Sequence, residues 1–197
     1  MVWFLAPQGP IPYIWTAAAG ILTLLVLNFF RDPERVTPEG KGLVIAPADG
    51  VIVLIKDVPE AEYIGRDAVQ ISIFMSPLDV HVNRWPISGV VGHYRHIPGA
   101  FVPAFEEKSS ERNERTHIGV EDAGYRVLFK QIAGTVARRI VADTAVGQAA
   151  RAGERFGMIK FGSRLDVLVP KGSVIRARLR DRTVAGETIL ADYGPGR

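Results

Sequence analysis

Ser163, within Phe161-Gly162-Ser163-Arg164, is the residue of this chain best placed by its neighbour to act on its own backbone. If its hydroxyl attacks the carbonyl of Gly162, the chain breaks and a reactive carbonyl is left at a new N-terminus. Such a chain would be an enzyme without a bound cofactor. A neutral hydroxyl is a weak nucleophile, so the reaction requires a general base and donors to the developing oxyanion. Histidine is the expected base, because its ordinary pKa lies near the operating pH. There are four histidines: His81, His93, His96 and His117. Two other readings compete for the segment. Gly162 and Ser163 suit a tight turn, and Lys160 could be the attachment lysine of a biotinyl- or lipoyl-like carrier or scaffold. The absence of cysteine removes disulfides, thiolate catalysis and cysteine metal sites. His93 and His96 have a ligand-like spacing but no third partner nearby in sequence, so no metal is expected.

The elements that must hold these residues fall into two parts. None of the first 30 side chains carries a charge at neutral pH, and the first charged residue is Arg31. Ile11 to Phe30 reads IPYIWTAAAGILTLLVLNFF, about the ~20 apolar residues a helix needs to cross a bilayer, with Tyr13 and Trp15 as interfacial rings. A secretory signal would need a positive leading region and a small-residue cleavage site, and neither is present. Residues 1–35 are therefore read as a membrane anchor with its juxtamembrane segment, and the VWFLAP piece near the start as interfacial. Arg31 and Arg35 place the remainder on the cytoplasmic side of a cell membrane by the positive-inside tendency. From residue 36 the chain becomes short Val- and Ile-rich runs punctuated by Gly and Pro, such as GVIVLI, VQISIFM, YRVLFKQIAG and RLDVLVP. This pattern predicts a mainly β domain, sandwich- or barrel-like with few short helices, over 36–197. Asp49-Gly50 also reads as a hairpin turn between two of these runs. A net charge of +3, with the basic residues interspersed among acidic ones, does not suit a nucleic-acid binder.

Several motifs occur together and in order: Phe29-Phe30-Arg31-Asp32-Pro33-Glu34-Arg35, Ala46-Pro47-Ala48-Asp49-Gly50, Phe74-Met75-Ser76-Pro77-Leu78-Asp79-Val80-His81-Val82-Asn83-Arg84, Asn113-Glu114-Arg115 and Phe161-Gly162-Ser163-Arg164. From residue 29 onward the chain resembles the short bacterial form of phosphatidylserine decarboxylase. The resemblance implies a proenzyme that cleaves itself between Gly162 and Ser163 into a large chain, 1–162, and a small chain, 163–197, which stay associated. Ser163 would become a pyruvoyl group by acyl shift, elimination to dehydroalanine and hydrolysis with loss of ammonia. That carbonyl would form a Schiff base with phosphatidylserine in the bilayer and accept the electrons released as carbon dioxide leaves, giving phosphatidylethanolamine. No external cofactor or metal is implied, and a homo-oligomer is an expectation by resemblance alone.

The resemblance also assigns roles. His81 matches the family's first motif histidine, and Asp49 the aspartate that orients or assists the maturation base. The longer family members carry two histidines three apart in this segment, whereas this chain has His81 and Arg84. His81 could then serve both maturation and decarboxylation, or His93 or His96 could take one role. Arg84 could instead bind the substrate phosphate or carboxylate, and His93 is a second candidate for contact with substrate.

Overall fold

The computed structural model describes residues 9–100, 112–134, 139–160 and 163–193. The VWFLAP piece, most of the polar stretch from Glu106 to Arg115, and Phe161 and Gly162 of the cleavage motif lie outside them. The first element among the described residues is helix α1 (Ile11–Phe29), which has no acidic residue in its first turn and no basic residue in its last. Its 19 residues extend ~28 Å at 1.5 Å per residue, close to the thickness of a hydrocarbon core. Along it Trp15, Leu22, Leu24 and Leu27 are all exposed, and only Phe29 is buried. An apolar surface of this length, turned away from the protein, fits a lipid surround.

Fourteen strands follow among the described residues: β1 (Leu43–Ile45), β2 (Gly50–Val58), β3 (Ala68–Met75), β4 (Val82–Arg84), β5 (Gly89–Ile97), β6 (Arg115–Asp122) and β7 (Tyr125–Ile132). Then come β8 (Ile140–Ala142), β9 (Ala149–Ala150), β10 (Arg155–Ile159), β11 (Ser163–Pro170), β12 (Val174–Ile175), β13 (Arg182–Thr183) and β14 (Ile189–Asp192). Eight form one antiparallel sheet in the order β13-β2-β3-β11-β7-β6-β5-β9. Two three-stranded sheets, β1-β14-β12 and β4-β10-β8, complete the domain. The mainly β expectation holds, and the large sheet curls as part of a barrel.

Alternation along the central strands decides what faces the core. Leu165, Val167 and Val169 of β11 join Ile71, Ile73 and Met75 of β3 and Val127 and Phe129 of β7. The small sheets close over them with Val44, Leu190, Phe156 and Ile159, and Trp85 packs against Phe156 and Phe129. Each such side chain, fully buried, contributes about 1.5–3 kcal/mol. Every residue of β11 is buried, so both of its faces are covered. Its outer face carries a buried polar cluster, in which Arg164 Nε donates to Asp166 at 2.7 Å and Arg164 Nη2 donates to Ser72 Oγ at 2.7 Å. β11 ends at Pro170, which has no N–H to continue a ladder, and the chain turns through Gly172 at φ 105°.

Asp49-Gly50 is not the hairpin turn that the sequence allowed. The runs it joins belong to different sheets, β1 pairing with β14 and β2 with β3 and β13. Gly50 is there for space, since a Cβ would collide with the Phe74 carbonyl.

Candidate active site

Ser163 is the first residue of β11 and is fully buried, paired across the ladder with Met75, the last residue of β3. Its hydroxyl lies 3.4 Å from the Met75 thioether. Asn83 approaches the same sulfur at 4.0 Å and accepts a bond from Gln131 Nε2 at 2.9 Å, and Gln131 in turn accepts from Thr116 at 2.7 Å. Asn83, Gln131 and Thr116 are all buried, so a polar chain runs through otherwise apolar packing to the neighbourhood of the serine. Sequence reasoning gave Met75, Gln131 and Thr116 no role. A signal was present, because Gln131 continues the inward alternation of Tyr125, Val127 and Phe129, where a polar side chain must have a partner.

His81 stands in the loop after β3. Asp79 organises that loop by accepting the Ser76 N–H at 2.8 Å. The Asp79 carbonyl is 2.9 Å from His81 Nδ1, which places the proton on Nδ1 and leaves Nε2 with a free lone pair. Nε2 is buried and has no hydrogen-bond partner among the described residues. The ring packs on Phe29 at the end of α1, centroids 4.2 Å apart. Burial lowers the imidazole pKa, against the opposing pull of the Asp79 carbonyl and carboxylate and of Asp49, and with Arg31 adding to the lowering. His81 is thus a neutral base at neutral pH. The His81 carbonyl accepts the Ile159 N–H at 3.4 Å at the end of β10. Ile159 and Ser163 are four residues apart, at most ~14 Å of extended backbone. Ile159 is therefore tied to the His81 loop, and Ser163 to the strand leading into that loop.

The remaining candidates are committed to the segment that leaves α1. Asp49 accepts from Arg35 at 2.9 Å and from the Ala185 N–H at 2.7 Å. Arg84 donates to Asp32 at 2.8 Å and to the carbonyls of Pro33 and Gly153, each at 3.0 Å. Arg155 pairs with Asp32 as well, and Arg31 donates to the Leu78 carbonyl at 2.8 Å. Residues 29–35 thus form a strap, each end tied to a residue or loop of the site. A cavity of about 290 Å³ lies beside the strap, lined by Glu34, Arg35, Thr37, Arg84 and Gly153 to Arg155.

His93 is elsewhere. It lies on β5, three strands from β11, or ~14 Å at the usual strand spacing. There it contacts Glu62 at 3.2 Å, whose other oxygen is 2.6 Å from His117. His96 pairs with Glu114 at 3.8 Å, and Asn113 is buried with its amide on the Ala133 carbonyl. Among the described residues no group of three or more acidic or histidine side chains converges as a metal site.

The carrier reading of Lys160 finds no support. A carrier lysine projects from a hairpin tip, whereas β10 and β11 belong to different sheets. The Lys160 ammonium instead lies 5.8 Å from the centre of the Phe30 ring.

The family model described as phosphatidylserine decarboxylase matches residues 22–191. The phosphatidylserine decarboxylase proenzyme of Chlorobium phaeovibrioides is 50% identical over 175 residues, covering 89% of this chain and 80% of that protein. The proenzyme of Chlorobaculum tepidum is 49% identical over 188 residues, 95% of this chain and 86% of that protein. That of Zymomonas mobilis is 48% identical over 191 residues, covering 92% and 78%. The match takes in the end of the helix, the strap, the His81 loop and the strand that Ser163 begins, and the chain belongs to the phosphatidylserine decarboxylase family.

Proposed function

We propose that the chain is a proenzyme that cleaves itself between Gly162 and Ser163 and then decarboxylates phosphatidylserine to phosphatidylethanolamine at a membrane surface. The observation that carries this reading is the buried Ser163 hydroxyl at the head of the central strand, with a neutral imidazole nitrogen, unpartnered among the described residues, on the adjoining loop. In this reading His81 takes the Ser163 hydroxyl proton as the oxygen attacks the Gly162 carbonyl carbon, and returns it to the amide nitrogen as the C–N bond breaks, leaving Gly162 esterified to the Ser163 oxygen and the Ser163 amine free.

The residues around Ser163 suit a pyruvoyl group in its place. The position is dry, flanked by the Met75 thioether, and fixed by ladder pairing of Ser163 with Met75 and of Arg164 with both Phe74 and Ile132. The group supplies a carbonyl for the substrate amine and a sink for the electron pair released with carbon dioxide. His81, neutral and held by its Nδ1 bond, is the residue we assign to proton transfer in turnover as well. Asp49 and Arg84 act as positioning residues, through Arg35 and Asp32, and not by touching substrate. His93 has no assigned part.

The exposed helix supports anchoring to the bilayer that holds the substrate, with the β domain on the cytoplasmic side, where Arg31 and Arg35 follow the apolar run. Intact-mass measurement of purified protein tests the reading. A fragment of residues 163–197 with a blocked end is expected, together with carbon dioxide release from phosphatidylserine but not from free serine. An unbroken 21.6 kDa chain that is fully active would overturn the mechanism.

A further inference from the structure

We propose that Phe29, the last residue of the membrane helix, is a positioning residue whose ring seals and orients His81, so that seating of the helix and readiness of the imidazole are one event. The inference rests on His81 acting as a base, and it adds how that base is controlled.

Four observations carry it. Phe29 is the one buried residue of a helix otherwise exposed along its length, at 2% exposure. What it is buried against includes the His81 ring, at a centroid distance of 4.2 Å and an interplanar angle of 37°. Among the described residues the His81 ring makes one hydrogen bond, from Nδ1 to the Asp79 carbonyl, and packing supplies the rest of its restraint. Among the described residues Nε2 is shut off from water without a replacement partner, an arrangement that costs free energy and marks the nitrogen as a group with a function. The helix end is itself pinned next to this contact. Arg31 bonds the Leu78 carbonyl in the His81 loop, and Phe30 lies under the Lys160 ammonium on the chain leading to Ser163.

The charged groups facing His81 come from each element around it: Asp79 on its own loop, Arg31 at the helix end and Asp49 before β2. The two aspartates favour the imidazolium and Arg31 opposes it, while dryness disfavours it. Phe29 supplies part of that dryness. Withdrawing its ring admits water to Nε2, raises the imidazole pKa and frees the ring to turn.

The test is a proton-carbon NMR titration of histidine in the uncleaved Ser163→Ala chain in detergent micelles, where no catalysis is needed and only four histidines give signals. His81 is expected to titrate at lower pH than histidine in the same chain denatured in urea, and adding Phe29→Ala should move it toward that reference. In chains that keep Ser163, Phe29→Ala should shift the acid limb of self-cleavage to higher pH and slow the reaction about tenfold near neutrality, a loss typical of a weakened general base. Phe29→Leu, which keeps apolar cover, should recover most of both. Leu24→Ala, on the exposed helix face, should change neither. A His81 that titrates with the histidines of the denatured chain when Phe29 is intact overturns the proposal, whatever the variants do. So does a Phe29→Ala chain that is slower with an unmoved acid limb. Failure of the self-cleaving reading would look different, with wild-type chains left unsplit.

Discussion

Burial gives single residues here their chemical character. Ser163 and His81 are both removed from water, and removal keeps the imidazole unprotonated where an exposed histidine would begin to charge. We expect Ser163→Ala to leave a single unbroken chain on a denaturing gel. His81→Ala should slow self-cleavage by at least about a hundredfold, the scale of a lost general base. A second histidine provides a stability test. Burial and the charge of Lys130 push the His117 imidazole down to about 4, against its bond to Glu62. The unfolded chain binds that proton near 6.5, so stability is full above that pH and is lost as pH falls toward 4. Melting temperature measured from pH 7 to pH 4.5 should fall, and fall less in His117→Gln. The candidate chemical residues could be picked out in the sequence, because Gly-Ser and the histidine stand in local motifs. Their partners could not. That Asp49 would face Arg35 and that Arg84 would face Asp32 depends on a strap folding back across 14 and 52 positions of sequence, which no local pattern encodes.

At the scale of elements, the strap and the central strand hold the site. Arg84 is buried and bound to a carboxylate and two carbonyls, so Arg84→Ala leaves Asp32 and both carbonyls short of a donor. A loss of about 3 kcal/mol is expected, the range for breaking a buried pair from one side. A lower melting temperature, with slower self-cleavage from a loosened strap, would report it. Asp166→Ala should cost about 3–5 kcal/mol for the same reason, since it removes the carboxylate from the buried Arg164 guanidinium, whereas Arg176→Ala at an exposed pair should cost under about 1 kcal/mol. Strand content was legible because Val- and Ile-rich runs between Gly and Pro have few other solutions. Sheet order was not. RLDVLVP gives no sign that it is central, with a buried arginine and aspartate on its outer face, since ion pairs in sequence normally mark a wet surface. The Asp49-Gly50 reading failed similarly, because a chain corner between two sheets uses the same residues as a hairpin.

For the whole molecule, the exposed apolar helix α1 meets the β domain through a contact instead of a free linker. A chain beginning at Phe29 is expected to lose flotation with anionic phospholipid vesicles and still split, because Phe29 and the strap remain. Protease added outside sealed inner-membrane vesicles of inverted orientation should digest the β domain if it lies on the cytoplasmic side. The place of Ser163 at the head of β11 bears on the protein's history as well as its chemistry. β11 pairs along eight residues with β3 and five with β7, and the proposed break falls immediately before it. The small chain would therefore be gripped from both sides at the middle of the sheet, and cleavage would release nothing. Once denatured, however, the mature protein would have to rebuild its central strand from a separate 35-residue piece, in a bimolecular step against a large loss of translational freedom. Refolding of the split protein should be concentration-dependent and poor, and that of the Ser163→Ala chain unimolecular. The fold would be one that can be reached only before the bond is cut, with persistence afterwards depending on the unfolding barrier.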